Sequence, residues 1–165
     1  MLNFPIVTKD LTIKKFDLSM ANDVLKNSHD DDVKTFTPDE YFESNEEVTD
    51  LLKRFMDNYD SLTSPLVFPI FLNNTNIGYV QAIQLVDKQW EVGYHIAKDF
   101  TKKGYGSQAL KAFLPYIMKE LKINKILAIA NMNNIGSITI LKKCDFVLTE
   151  QTYRNDKLVY EYHLK

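Results

Sequence analysis

Residues 99–110, DFTKKGYGSQAL, decide the fold because they join a strand pattern to a helix pattern through two glycines. Upstream, residues 89–97 (QWEVGYHIA) predict a strand. Downstream, apolar side chains recur at helical spacing from Leu110 to Leu121. A glycine pair at the start of a helix is either a plain turn or a place where backbone N–H groups approach an anion, since glycine has no Cβ to block the approach.

The segments on either side of this loop predict an α/β fold. Residues 125–130 (KILAIA) predict a strand covered on both faces. With the strand at 89–97 and the helix between them they form a βαβ unit, so we expect the two strands to be parallel. Residues 66–72, 77–86 and 89–97 predict an antiparallel meander ahead of this unit. Pro69 indicates an edge strand or a bulge.

Shorter patterns complete the expected secondary structure. Asp87 and Lys88 predict a two-residue hairpin connection, and residues 29–32 (HDDD) predict a solvated acidic turn. The remaining expected elements are a strand over 11–17, helices over 19–27, 45–60 and 134–144, and strands near 145–152 and 157–164.

The composition is that of one globular domain spanning residues 1–165. Apolar residues make up 45% of the chain and charged residues 25%, and the net charge of −2 argues against a nucleic-acid partner. No apolar run reaches the roughly 20 residues that span a bilayer, so no membrane association is expected. The single cysteine, Cys144, is expected to be a small core residue. One cysteine excludes an internal disulfide and fits a reducing compartment, so we expect a cytoplasmic protein.

The glycine loop has the features of a phosphate site. Gly104 and Gly106 precede a helix whose first N–H groups and dipole attract an anion, and Lys102 and Lys103 add positive charge. No Gly-Lys-Ser/Thr follows, which excludes a P-loop, and the third glycine of a dinucleotide fingerprint is missing. The residues alone leave the phosphate site and the plain turn both open.

A second group of polar residues follows the strand at 125–130. Asn131, Asn134 and Ser137 are spaced by three and lead into a helix. Together, the segments WEVGYHI (90–96), KKGYGSQAL (102–110) and NNIGSITILKKCDF (133–146) resemble the GNAT N-acetyltransferase superfamily, in its order and spacing. Within it, the chain is most similar to the branch of the ribosomal-protein N-terminal alanine acetyltransferases.

This resemblance implies a GNAT fold, with a mixed, mostly antiparallel sheet, a central parallel pair and flanking helices. It also implies an acetyl-CoA-dependent N-acetyltransferase that acts by direct attack of a primary amine on the thioester. The acceptor is a protein N-terminus, a polyamine or another small amine, and no metal is expected. The implied cofactor-binding residues are His95, Ile96, Ala97, Lys102, Lys103, Gly104, Tyr105, Gly106, Ser107, Asn131, Asn134 and Ser137.

The implied roles follow the parts of the cofactor. The amides of residues 103–107 would hold the pyrophosphate, and the pantetheine would lie between the strands at 89–97 and 125–130. Ser137 resembles the position that hydrogen-bonds the CoA sulfur, although a serine in a first helical turn is also common. Asn134 is either a cofactor ligand or a helix cap, and Asn131 either orients the pantetheine or closes a turn.

Glu91 is the candidate general base, because an ammonium must lose a proton before it attacks the thioester. The alternative is that Glu91 is one polar position of an alternating strand. Two departures from the family pattern stand out. Thr101 replaces the Arg or Gln that opens the phosphate loop, and Asp145 replaces a Gly after the last helix, where a left-handed backbone is expected.

Other polar groups carry weaker signals. An acidic stretch either borders the acceptor site or is a solvated surface; it contains Asp30, Asp31, Asp32, Glu40, Glu43, Glu46 and Glu47. The histidines lack metal-ligand spacing, and the tyrosines of the last strands indicate packing; they are His29, His95 and His163, and Tyr153, Tyr160 and Tyr162. A non-catalytic acyl-CoA-binding module, a nucleic-acid-binding domain that uses the lysine pairs, and a homodimer stay open.

Overall fold

The computed structural model describes residues 2–152 and 156–165, and within them eight strands form one mixed sheet. The strands are β1 (Ile6–Val7), β2 (Leu11–Ile13), β3 (Leu66–Leu72), β4 (Thr75–Gln84), β5 (Trp90–Ile96), β6 (Lys125–Asn131), β7 (Val147–Thr152) and β8 (Lys157–His163). The helices are α1 (Ala21–Ser28), α2 (Asp31–Phe36), α3 (Asn45–Ser61), α4 (Tyr105–Glu120) and α5 (Ile135–Lys143). Short 3-10 turns are Leu18–Met20, Pro38–Glu40 and Lys98–Phe100.

The sheet order β1-β2-β3-β4-β5-β6-β8-β7 confirms the predicted mixed α/β architecture. All neighbouring strands in this order are antiparallel except β5 and β6, which are parallel and are joined by α4. The meander and the βαβ unit are therefore both as expected. None of the helices in the described part of the chain is long and apolar enough to cross a membrane.

Helices cover both faces of the sheet. The apolar stripe of α4 buries Leu110, Phe113 and Ile117 against the face that carries Phe68 and Val80. On the other face, α1 and α3 pack over β3 and β4 in a second, smaller apolar cluster. Side chains alternate along a strand, so from Tyr79 onward the odd-numbered residues of β4, and those of β5, face α1 and α3, whereas the even-numbered ones face α4. Ile77 packs on the α4 side because the register of β4 shifts beside it.

The acidic segment is partly helical, which corrects the prediction of a solvated turn over 29–32. Asp31 begins α2, and Asp31 and Asp32 both lie in its first turn. Carboxylates stabilise a helix N-terminus through the helix dipole, so a run of aspartates favours a helix start as much as a turn. The start of this short helix lies at the end of β5, because Asp30 Oδ2 accepts from the Lys98 N–H at 2.7 Å.

The connection between β4 and β5 has three residues rather than the predicted two. The Leu85 N–H donates to the Gln89 carbonyl at 2.7 Å, which leaves residues 86–88 as the loop. Lys88 has a φ of +68°. A left-handed third residue is the usual way to close a three-residue hairpin loop, because it restores the strand twist.

Pro69 lies in an internal strand, so the prediction of an edge strand is wrong, while the bulge is confirmed. β3 lies between β2 and β4, and its register with β4 shifts between Ile70 and Phe71. The Lys14 N–H donates to the Pro69 carbonyl at 3.1 Å. The backbone nitrogen of Pro69, which carries no hydrogen, therefore also points toward Lys14, one residue beyond the end of β2 at Ile13. A proline is tolerated at this point because the paired part of β2 ends at Ile13.

Three further expectations concern single residues. Cys144 and Tyr160 are buried, and the Tyr162 ring packs on Phe146, as the packing interpretation predicts. Tyr153 lies outside the described residues. Asp145 has a φ of +66°, which confirms the left-handed position expected after α5.

Candidate active site

A gap opens between the parallel strands β5 and β6. They pair only at Glu91 and Leu127, near the start of both strands. The Ala97 N–H donates to the Ile77 carbonyl on β4 at 2.7 Å. Backbone groups alternate in direction along a strand, so the peptide groups of Tyr94 and Ile96 point toward β6, beyond its last pairing with β5. The gap is therefore lined by backbone donors and acceptors that the sheet does not use.

The glycine loop ends in a helix N-terminus beside this gap. Gly104 has a φ of +83° and is the N-cap of α4. The Gln108 N–H makes a helical bond to the Gly104 carbonyl at 3.0 Å, so the N–H groups of Tyr105, Gly106 and Ser107 precede the helical ladder. The first turn of α4 carries no acidic residue. This end of the helix is suited to an anion.

The two glycines of the loop have different structural roles. A Cβ at Gly104 would meet nothing within 4 Å, so this glycine is required by its left-handed backbone and faces open space. A Cβ at Gly106 would lie 2.7 Å from Ile140 Cδ1, so this glycine allows α4 to pack closely on α5. The open space that an anion needs is therefore at Gly104.

The start of α5 faces the same gap. The Asn134 side chain caps the helix by accepting from the Ser137 N–H at 3.1 Å. The Tyr94 hydroxyl donates to the Ser137 carbonyl at 2.9 Å and lies 2.9 Å from Ser137 Oγ. Burial raises the pKa of Tyr94 well above its usual value, so it stays a neutral phenol. A tyrosine from β5 thus fixes the Ser137 hydroxyl beside the gap.

These elements enclose the first cavity, of about 560 Å³, which we call the cofactor cavity. Nine of the residues predicted to bind the cofactor line it: His95, Ile96, Lys102, Gly104, Tyr105, Gly106, Ser107, Asn134 and Ser137. Three others have different surroundings. The Ala97 N–H is used on β4, Lys103 is exposed, and Asn131 Oδ1 accepts from the Asn133 N–H at 2.9 Å and so closes the turn after β6.

Glu91, the predicted base, lies at the closed end of the gap. It is opposite Ile83 on β4 and next to Leu127 on β6, where the two parallel strands still pair. Burial raises the pKa of Glu91, and the charge of Lys157 partly opposes this effect. By strand alternation its side chain is on the face opposite Tyr94 and Ser137. It does not line the cofactor cavity.

A second cavity, of about 380 Å³, lies on the other face of the sheet, and we call it the helix-side cavity. Its walls come from α1, α2, α3 and residues of the strands β3, β4 and β5. Glu40, from the 3-10 turn after α2, is part of its lining. The Tyr79 hydroxyl donates to Glu40 Oε2, and the Gln81 side-chain amide donates to Oε1 at 3.5 Å. Burial raises the pKa of Glu40 to about 7.

Tyr79 and His95 stand between the two cavities and line both. They face each other across β4 and β5, with ring centroids 6.1 Å apart. His95 Nε2 lies 3.4 Å from Asp30 Oδ2, but the geometry is not that of a hydrogen bond. Asp30 Oδ2 accepts from the Lys98 N–H at 2.7 Å. Burial lowers the pKa of His95, so its ring favours the neutral form.

Sequence reasoning missed Tyr94 and Tyr79 as site residues. Both belong to strands that were predicted, and strand alternation around Glu91 gives the face of each side chain. The face alone does not say which tyrosine borders a cavity, because that depends on where β6, α2 and α5 pack. Thr101, the departure in the loop, lines the cofactor cavity and donates its hydroxyl to the Lys98 carbonyl at 2.8 Å.

Comparison with known proteins identifies the family. Residues 10–147 match the acetyltransferase (GNAT) domain. A Bacillus subtilis protein described as the uncharacterized N-acetyltransferase YnaD is 27% identical over 141 residues, which cover 84% of this chain and 79% of that protein. The chain therefore belongs to the GNAT acetyltransferase family, and its class of activity is acetyl transfer.

Solved structures show the same fold. RimL, a ribosomal L7/L12 alpha-N-protein acetyltransferase in complex with coenzyme A, superposes with a TM-score of 0.83 at 18% identity, covering 97% of each chain. A GNAT-family acetyltransferase from Bacillus anthracis has a TM-score of 0.80 at 22% identity, covering 97% of this chain and 98% of that one. The GNAT fold predicted from the sequence is confirmed.

Proposed function

We propose that the protein transfers the acetyl group of acetyl-CoA to a primary amine, with acetyl-CoA in the cofactor cavity and the amine in the helix-side cavity. The observation that carries this proposal is that the two cavities adjoin and share Tyr79 and His95 in their walls. A thioester bound in one cavity and an amine bound in the other would then meet at this pair.

The cofactor cavity fits acetyl-CoA at three points. The N–H groups of Tyr105, Gly106 and Ser107, with Lys102 nearby, offer donors and positive charge for a pyrophosphate. The backbone of Tyr94 and Ile96 offers partners for the amides of the pantetheine arm. The Ser137 hydroxyl lies beside Tyr94, and we assign it as the donor to the CoA sulfur, for which its proton turns from the Tyr94 oxygen toward the sulfur.

The protein must also stabilise the charge that develops on the thioester carbonyl oxygen. The Ile96 N–H points into the gap, whereas Ala97 and, by alternation, His95 donate to β4. We therefore assign the oxyanion contact to Ile96 rather than to His95. Glu91 as the general base stays a prediction, because it lies at the closed end of the gap.

Calorimetric titration with acetyl-CoA, with ATP as the comparison, tests the proposal. We expect acetyl-CoA to bind with a micromolar Kd and with much higher affinity than ATP. Thiol release should follow when an amine is added. Binding without thiol release on any amine would favour the non-catalytic acyl-CoA-binding module. Equal, weak binding of both nucleotides would show that the cofactor cavity does not hold CoA.

A further inference from the structure

We propose that the helix-side cavity binds a primary amine carried on an apolar body, and that Glu40 is the carboxylate that holds its ammonium and takes its proton. This inference rests on the proposed acetyl transfer and adds to it a substrate class and a catalytic residue. It is argued from the walls of the cavity, from the surroundings of Glu40 and from the position of Tyr79.

The walls of the helix-side cavity are mainly apolar. They combine side chains from both layers of the fold, including Phe16, Val24, Phe42, Leu51, Phe55 and Val67. A cavity of about 380 Å³ is within the range of small-molecule sites, which enclose an apolar body and fix it by a few polar groups. An aliphatic or aromatic group of an acceptor would gain free energy here by leaving water.

Glu40 is the polar group that such a body would need. Its two carboxyl oxygens accept from Tyr79 and Gln81, so its orientation is fixed from β4. In the described ranges 2–152 and 156–165, no lysine or arginine forms a salt bridge with Glu40. A carboxylate in apolar surroundings is costly without a cation, and a substrate ammonium would supply that cation.

An amine bound to Glu40 would lie next to the cofactor cavity. Tyr79 bonds Glu40 and also lines the cofactor cavity, so an ammonium on Glu40 would lie at the junction between the two cavities. Glu91 has no such relation, because it lines neither cavity. Of the two half-buried carboxylates near β4 and β5, Glu40 is therefore the one that reaches an acceptor.

The proton balance of the transfer is simple. The ammonium nitrogen starts with three hydrogens, and one passes to the Glu40 carboxylate before the nitrogen forms its bond to the acetyl carbon. A second is lost as the carbon–sulfur bond breaks, and a proton is taken up by the sulfur to give the thiol. The third remains on the amide nitrogen, and Glu40 releases its proton to water.

Other charged groups face this cavity and act on Glu40. Asp39 and Glu47 on its rim raise the negative charge, and Arg54 on α3 opposes it. From β5, His95 is neutral when buried, and Asp30 is beside it. Burial remains the main cause of the raised pKa of Glu40, to about 7, so the carboxylate form grows as the pH rises through neutrality.

The first test compares acceptors in a thiol-release assay at saturating acetyl-CoA. The amines are 2-phenylethylamine, a peptide with an N-terminal phenylalanine, and spermidine. We expect at least one of the first two to exceed spermidine in kcat/KM by about tenfold, in line with the worth of burying a few CH₂ groups. The ratio of kcat/KM for 2-phenylethylamine to kcat/KM for the peptide shows whether the acceptor is a small amine or a peptide N-terminus.

The second test compares Glu40→Gln with Glu43→Gln, an exposed carboxylate three residues away. Glutamine can still accept from Tyr79, so the contact between the turn and the sheet is retained. We expect Glu40→Gln to lower kcat/KM for the best amine by roughly 100-fold at pH 7.5, the lower end for a general base. The limb of the pH profile near 7 should disappear in Glu40→Gln and persist in Glu43→Gln.

A third variant, Leu51→Trp, fills the cavity from its α3 wall and leaves the Glu40 carboxylate in the chain. It should raise KM for the amine at least fivefold and leave the Kd of acetyl-CoA unchanged. A preference for spermidine, or an unaltered pH profile in Glu40→Gln, would overturn the inference while leaving acetyl transfer in place. Failure of acetyl-CoA to bind wild-type protein would overturn the proposed function and the inference with it.

Discussion

The cofactor cavity and the helix-side cavity are built in different ways. The first is formed largely by backbone: an opened strand pair, a left-handed glycine and a helix N-terminus. The second is formed by side chains from α1, α2, α3 and three strands. Backbone sites tolerate changes of side chain, whereas side-chain sites do not. One fold can therefore keep a common cofactor while its acceptor varies.

The same contrast explains why the cofactor cavity could be predicted from the sequence and the helix-side cavity could not. Most of the residues that line the cofactor cavity come from two segments, 101–107 and 134–143, whose glycines and caps are visible as patterns. The helix-side cavity has no such segment, because single residues and short runs between Phe16 and His95 line it. Its half-buried carboxylate, Glu40, lies within an acidic stretch in which most carboxylates are exposed.

The strongest way to break the comparison is to put charge into the backbone site. Gly104→Asp and Gly104→Asn both tolerate a left-handed φ and differ in charge alone. A carboxylate beside a pyrophosphate costs about 3 kcal/mol at an effective dielectric near 20, so we expect Gly104→Asp to bind acetyl-CoA roughly 100-fold more weakly than Gly104→Asn. Calorimetry measures both, and equal affinities would remove the anion site from the loop.

The two carboxylates, Glu40 and Glu91, sharpen the comparison. Because Glu91 lines neither cavity, we expect Glu91→Gln to lower kcat/KM by a few-fold, against roughly 100-fold for Glu40→Gln. The assay is thiol release between pH 6 and pH 10. A large loss in Glu91→Gln at neutral pH that recovers at high pH would instead assign the base to Glu91.

Ser137 tests the side-chain contribution to the cofactor cavity. Ser137→Ala removes one hydroxyl and leaves the Tyr94 hydroxyl its bond to the Ser137 carbonyl, so the fold is retained. We expect kcat to fall about fivefold, which corresponds to about 1 kcal/mol for one hydrogen bond. Tyr94→Phe should have a similar effect, and the double variant should lose less than the sum because the two share one contact. Additive losses in kcat would show that Tyr94 and Ser137 contribute independently, which would contradict the shared contact.

The smallest expected effect is on stability. Folding raises the pKa of Glu40 from 4.5 to about 7, so the folded protein binds more protons between these values and loses stability as the pH rises through them. Glu40→Gln removes this cost. We expect its Tm to exceed that of wild type by a few degrees at pH 8 and by less at pH 5. A lower Tm at both pH values would make Glu40 a structural contact.

Much of the fold followed from local patterns, because strands 66–72 and 125–130 and the stripe of α4 carry strong periodicity. The errors were also local. Aspartates favour a turn and a helix start alike, so the pattern does not distinguish the start of α2 from a turn. Pro69 predicts an edge strand or a bulge, and the structure has the bulge, because β2 covers β3 only as far as Ile13. Which carboxylate meets a cavity depends on packing between distant segments, and periodicity carries no such information.

The central claim is that the two cavities meet at Tyr79 and His95, and a bisubstrate conjugate tests it most directly. In this compound the CoA sulfur is joined through an acetyl linker to 2-phenylethylamine. Calorimetric titration should give a Kd at least 100-fold below that of CoA alone, because one molecule would occupy both cavities. Leu51→Trp should remove that gain while leaving CoA binding unchanged. A conjugate that binds wild-type protein no better than CoA would contradict the account.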